Sequence, residues 1–270
     1  MKGKELFINK VHLRGKMTDI SSLCYATAKE AGLFLKNSFF SKISGAERKN
    51  DGSFSTDTDR QCEKLIISKI KSVFPTHSII AEESGVLKSG SEYTWIIDPL
   101  DGTHNFMKST HNFGVSIAVA KNEQLIIGAV YLPMFEEFYY AELNGGAMKN
   151  DKKFISKECS LEESIIVVDA DFKSDINNNI NLISKISPKC FGIRIIGASS
   201  RELTYLAEGI VDGVIQFNDP VWDFAAPAVI LREAGAKITS LDGKELTLET
   251  KGFIASNQSI HPFLLTALNN

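Results

Sequence analysis

The sequence predicts a mixed fold of the α/β (α+β) class, on three observations. Helical periodicity occupies the stretches 19–40 and 59–74. Short segments rich in branched and aromatic residues crowd 79–142. From about residue 160, strand-like and helix-like segments alternate. At 270 residues the chain can bury a substantial core. We place a division near 155, between an N-terminal α+β part (1–155) that carries most of the acidic motifs and a C-terminal α/β part (156–270) that completes the site.

The first helix runs from Asp19 to Phe40, with Thr18 or Asp19 as N-cap and Ile20, Leu23, Ala31, Phe34 and Leu35 on its apolar side. "ERKNDGSFS", 47–55, is polar with a glycine turn and reads as an exposed loop. A second helix spans Asp59 to Phe74. Cys62, Leu65, Ile66, Ile70 and Val73 fall on one face, and Pro75 ends it. "SIIAEE", "YTWIID", "FGVSIAVA", "QLIIGAVYL" and "EFYYAEL" follow as strands joined mostly by hairpins. Then "SIIVVDA", "CFGIRII" and "DGVIQF" read as strands. "INLISKI", "SRELTYLAEGI" and "DFAAPAVILREAG" read as the helices that follow them.

The composition narrows the partners. A formal net charge of −3 argues against a nucleic-acid or anionic-membrane binder. No apolar run approaches the roughly 18 residues of a membrane span. The opening "MKGKELFINKVHLRGK" lacks the apolar core of a signal peptide, and Cys24, Cys62, Cys159 and Cys190 have no metal-binding or redox spacing. A cytoplasmic protein with reduced thiols is expected.

The chemistry lies in acids at the ends of these elements. In "WIIDPLDGTHNF" an apolar run reaches Asp98, and Asp101 and Gly102-Thr103 follow. Asp59 opens a helix, Glu82 and Glu83 close "SIIA", and Asp223 precedes a helix after Trp222. Singly, each could be a cap or turn residue. Together, beside apolar strands, they need cations, because uncompensated buried carboxylates are costly. Oxygen donors without a His or Cys cluster favour Mg²⁺, with Mn²⁺ possible, over zinc. Such ions suit phosphoryl chemistry, and Gly102-Thr103 would let backbone N–H groups approach a phosphate.

The residues resemble the inositol monophosphatase family. "DPLDGTHNF" is similar to its D-P-[IL]-D-G-T-x-N-F signature, and "DPVWDFAAPAVILREAGA" to its second, W-D-x-A-[AG]…E-A-G-G. "DGSFSTDTD" and "IIAEES" resemble its first-loop and strand-end patterns, and the four occur in order between Lys49 and Ala236. The resemblance implies a five-layered α-β-α-β-α sandwich of the sugar-phosphatase type. It implies a lithium-sensitive phosphomonoesterase using two or three Mg²⁺ ions, commonly a homodimer. By motif, Glu82, Asp98, the Leu100 carbonyl, Asp101 and Asp223 fall on metal-ligand positions. Asp59 and Thr103 fall on the pair that orients and deprotonates the attacking water. Gly102 and Thr103 N–H groups fall where phosphate binds, and Lys49–Ser55 on a segment that closes over the site.

The alcohol end departs from the pattern. "IIGASSREL" places Gly197, Ala198 and Ser199 on a segment that contacts the alcohol, and Gln216 stands where inositol-specific members carry Glu. The leading expectation is a small phosphorylated substrate, with inositol monophosphate first. Fructose 1,6-bisphosphate or adenosine 3′,5′-bisphosphate is the alternative. A non-catalytic binding protein of the same fold is a third reading. Arg194, Arg201, His104 and His111 are expected to be structural or surface residues.

Overall fold

The computed structural model describes residues 19–41, 45–49, 53–170 and 176–269. Helix α1 (Asp19–Phe39) buries Cys24, Ala28, Ala31 and Leu35, spaced for one face. Thr18, expected as a cap, lies outside the described residues. The stretch expected as a loop instead pairs its ends. Strands β1 (Glu47–Arg48) and β2 (Phe54–Ser55) match Glu47 with Ser55 and Arg48 with Phe54. Two pairs are too short to show an alternating pattern in the sequence. Helix α2 (Asp57–Val73) starts two residues before the expected Asp59 because Thr56 is the true N-cap. Thr56 and Asp59 form a reciprocal capping box.

An eight-stranded sheet follows: β3 (Ser78–Ala81), β4 (Gly85–Leu87), β5 (Tyr93–Asp101), β6 (Gly114–Lys121), β7 (Gln124–Leu132), β8 (Glu137–Glu142), β9 (Gly146–Lys149) and β10 (Lys152–Lys153). The one-turn helix α3 (Thr103–Met107) leaves the end of β5. Strand order is β10-β9-β8-β7-β6-β5-β3-β4, antiparallel except for the parallel β3–β5 pair. The C-terminal elements are β11 (Ile165–Val168), α4 (Ile176–Ile186), β12 (Gly192–Arg194), α5 (Ser199–Glu208), β13 (Gly213–Gln216), α6 (Val221–Ala234), β14 (Lys237–Thr239), β15 (Phe253–Ser256) and α7 (His261–Asn269). The expected alternation holds through α6. Beyond it, β15 inserts antiparallel between β13 and β14, so this sheet is mixed, in the order β12-β11-β13-β15-β14.

Three cores give five layers. Helices α1 and α2 cover one face of the large sheet through Trp95, Ile97, Ile117 and Leu35. Between the sheets, Leu203, Phe224 and Ile230 of α5 and α6 meet Ile96, Ala118 and Leu132 on one side and Val214 and Phe253 on the other. Helices α4 and α7 cover the outer face of the small sheet with Leu182, Ile186 and Leu264. The α-β-α-β-α sandwich is therefore present, and its central layer takes side chains from both parts of the chain. Helix α6 lies so close to β7 that a Cβ on Gly128 would sit 2.2 Å from the Ala226 carbonyl oxygen.

Candidate active site

Side-chain alternation along β5 explains how two aspartates three apart can act together. Trp95 and Ile97 face α1 and α2, while Ile96 faces α5 and α6. Asp98 shares the parity of Ile96, and in a regular strand Asp101 would point the other way. The strand is not regular. Asp98 pairs with Ser116 but Asp101 with Gly114, so one extra residue is accommodated at Pro99-Leu100. After this bulge the even-numbered Leu100 packs with the α1–α2 core. Asp101 is thereby returned to the side of Asp98. The proline is tolerated because a bulge leaves a residue outside the ladder. The expectation that the strand ends at Asp98 is corrected: it continues to Asp101.

Helix α6 brings the third acid. Asp223 is its third residue, not its cap, which is Pro220. Carboxylate oxygens of Asp98, Asp101 and Asp223 lie within 4.8 Å of one another. Burial, then the charge of Glu82, Asp101 and Asp223, pushes Asp98 well above the usual carboxylate range. Burial and neighbouring acids do the same to Asp223. Asp101 is also raised by burial, although hydrogen bonds from Ser199 and Ser200 oppose the shift. A hard-oxygen trio so penalised as anions fits a divalent cation.

Glu82 stands slightly apart. The parallel β3–β5 register pairs Ala81 with Ile97, which sets Glu82 beside Asp98. Lys49 places its Nζ 2.7 Å from Glu82 and 2.6 Å from Glu83, and burial raises Glu82 to about 7 despite that lysine. Glu83 also accepts from Ser55 Oγ at 2.6 Å, tying it to β2.

Asp59 and Thr103 meet across 44 residues of sequence. Thr103 Oγ1 lies 2.9 Å from Asp59 Oδ1 and 3.0 Å from the Leu100 carbonyl oxygen. The other Asp59 oxygen accepts from Thr56 N at 2.8 Å and from Thr56 Oγ1. Buried completely, Asp59 has its pKa raised by desolvation while these hydrogen bonds pull it down.

Gly102 turns the chain from β5 into α3 with φ of +80°, and a Cβ there would sit 2.7 Å from the Asn112 carbonyl oxygen. Asp101 holds the opposite wall. It accepts from Ser199 N at 3.2 Å, from Ser200 N at 2.7 Å and from Ser200 Oγ. It thus caps α5, whose own N-cap Ala198 has no side chain that could.

A cavity of about 580 Å³ opens here, with Gly102 and Thr103 in its wall and Asp59 buried behind Thr103. Its acidic end holds Glu82, Asp98, Leu100, Asp101 and Asp223. Beside that end lie Gly197, Ala198, Ser199 and Gln216, as expected, and also Asp169 and Asp219, which were not anticipated. Gln216 donates Nε2 to the fully buried Glu202 at 2.5 Å, and Glu202 also accepts from Gly197 N at 2.9 Å. The strand "IIVVD" ends on Asp169 much as "WIID" reaches Asp98, a signal that was available. Glu202 and Asp219 had no such marker. His104 is exposed, as expected, and also lines the cavity and stacks on Phe54, whereas His111 packs on Phe39. Arg201 is buried away from the cavity between Phe135 and Tyr205 and bonds Glu137. Arg194 turns back on the Ile193 carbonyl.

An acid-lined cleft on a five-layered sandwich defines a protein of the sugar-phosphatase class. Sequence comparison agrees: the inositol monophosphatase family matches residues 16–270, and the chain belongs to that family. It is 36% identical over 242 residues to the "fructose-1,6-bisphosphatase/inositol-1-monophosphatase" of Aquifex aeolicus, covering 88% of this chain and 90% of the relative. It is 32% identical over 259 residues to "Nus factor SuhB" of Escherichia coli, covering 94% and 97%. The solved structure of a Thermotoga maritima IMPase superposes with a TM-score of 0.85 at 30% identity, covering 93% of this chain and 97% of that one. Among the described residues no helix is long and apolar enough to cross a membrane.

Proposed function

We propose that this chain is a Mg²⁺-dependent phosphatase that hydrolyses a small phosphomonoester. The observation that carries the reading is the convergence of Asp98, Asp101 and Asp223 beside the Asp59–Thr103 pair. Asp98, Asp101, Asp223, Glu82 and the Leu100 carbonyl would hold two or three Mg²⁺ ions, with Mn²⁺ as a substitute. Bound there, the cations would acidify water and neutralise charge on the phosphoryl oxygens. The protein's own part is positional. Thr103 and Asp59 orient the attacking water, and Asp59 takes its proton. Backbone N–H groups of Gly102 and Thr103 hold the phosphate. Gly197, Ala198, Ser199 and Gln216 face the departing alcohol.

Inositol monophosphate is the reference ester for this reading. A bisphosphate such as fructose 1,6-bisphosphate or adenosine 3′,5′-bisphosphate fits less well. Asp169 and Asp219 stand at the alcohol end, and no Lys or Arg lines the cavity among the described residues. The Nus factor name of the SuhB relatives motivates a second reading, a binding role independent of hydrolysis. Against it stands the full acid set with Thr103 in place. A cytoplasmic homodimer sensitive to lithium completes the proposal.

Asp98→Asn tests it. Mg²⁺-dependent phosphate release should vanish while circular dichroism stays unchanged. Undiminished turnover would overturn the site assignment, and a wild-type protein silent on every small ester would favour the binding role.

A further inference from the structure

Ser200 directs its hydroxyl at a single atom. The residue is fully buried in the first turn of α5, and its Oγ donates to Asp101 Oδ2. The same oxygen accepts from Ser200 N at 2.7 Å. The other oxygen, Oδ1, takes the longer bond, 3.2 Å from Ser199 N, and the Gly102 N–H also lies against this carboxylate. A carboxylate offers about four lone-pair sites over its pair of oxygens. Ser200, giving both its N–H and its O–H, therefore fills Oδ2 by itself.

The surroundings hold this arrangement in place. Room for the hydroxyl comes from Gly114, the cross-strand partner of Asp101, where a Cβ would press on Ser200 Oγ at 3.3 Å. Arg201, the next residue, bonds Glu137 and lies between Phe135 and Tyr205, which fixes the turn that carries Ser200. We propose that Ser200 is a positioning residue that withholds one oxygen of Asp101 from the metal, and so favours Mg²⁺ over the larger Ca²⁺. Mg²⁺ takes about six oxygens in a near-ideal octahedron, for which one oxygen of Asp101 suffices. Ca²⁺ takes roughly six to eight at longer range and gains from a carboxylate that can bind through both oxygens. With Oδ2 filled from a fixed helix end, that second bond is denied. This rests on the Mg²⁺-dependent phosphatase reading and adds to it a choice between ions.

The test is isothermal titration calorimetry of the intact protein with Mg²⁺ and with Ca²⁺, for the wild type, Ser200→Ala and Ser200→Cys. Alanine removes the donor and suits a helix. Cysteine keeps a similar size with a weak donor. In Ser200→Ala the affinity for Ca²⁺ relative to Mg²⁺ should rise by about tenfold, the lower end of effects known for groups that orient a metal ligand. Ser200→Cys should shift the ratio the same way by less, and it decides alone if the alanine variant does not fold. An unchanged ratio in the folded variant overturns the proposal. Equal weakening of both ions overturns it too, because that is what a merely structural serine would give. A wild type that binds no Mg²⁺ overturns the metal-dependent reading itself, and this inference with it.

Discussion

Lys49 sets its ammonium group 2.7 Å from Glu82 and 2.6 Å from Glu83, so a side chain from the turn region of the β1–β2 hairpin neutralises one edge of the acid cluster. Lys49→Gln would leave partly buried carboxylates without that partner. In metal-free protein this should cost about 1–3 kcal/mol, read as a lower urea midpoint. Saturating Mg²⁺ should narrow the gap between variant and wild type. Identical midpoints without metal would show that the lysine contributes nothing there.

Asp59 does two jobs that one substitution can separate. Its carboxylate closes the capping box of α2 and accepts from Thr103. Asn keeps an acceptor for Thr56 but cannot take a proton from water. Asp59→Asn should lower turnover by about 10²–10⁴-fold, the range for a lost general base. Its stability cost should be under about 1 kcal/mol, the size of a typical cap. Parallel measurements of phosphate release and urea denaturation decide. A stability loss large enough to account for the activity loss would reduce Asp59 to a cap.

Gly102 is the residue whose replacement should be felt most for its size. Alanine there would adopt φ of +80° and meet the Asn112 carbonyl oxygen at 2.7 Å. Strain of about 1–3 kcal/mol is expected, together with loss of activity because Thr103 moves with it. Chemical denaturation of Gly102→Ala checks the first part, and a midpoint equal to wild type would refute it.

The pH dependence of the metal-free protein follows from its buried acids. Burial, then the charge of Asp219, raises Glu202 from 4.5 to about 8. A group raised on folding stabilises most below its unfolded value, and that contribution is lost as pH climbs through the folded one. The metal-free protein should therefore lose stability between 4.5 and about 8, and Glu202→Gln should flatten part of the loss. Melting temperatures across that window, with and without the substitution, measure it. Superimposable profiles would exclude Glu202 as a contributor.

Much of the fold and most of the acidic end were legible in the chain. Period-2 and period-3.6 patterns marked β5 to β8 and α1, α2, α4, α5 and α6 because each has a wet and a dry face, or two dry ones. Asp98, Asp101 and Asp223 stood out because carboxylates beside apolar runs are costly without a purpose. Other features had no local mark. The β1–β2 pairing spans two residues per arm. Lys49 finds Glu82 across 33 positions. Glu202 sits within an ordinary helical pattern and shows its burial only when α5 packs between two sheets. The turn that returns Asp101 to the side of Asp98 is a matter of register, which depends on the partner strand β6.

That bulge turns a chemical requirement into a requirement of length. With one residue fewer between Asp98 and Asp101, β5 would run in phase with β6 and both aspartates would still point to one side, but the bulge that re-aims the strand end toward Gly102 and α3 would be lost. With one more, Gly102 would no longer meet Asn112. The segment can therefore exchange side chains at Pro99 or Leu100 more readily than it can change its residue count. A single-residue deletion there should be worse tolerated than any substitution at those two positions.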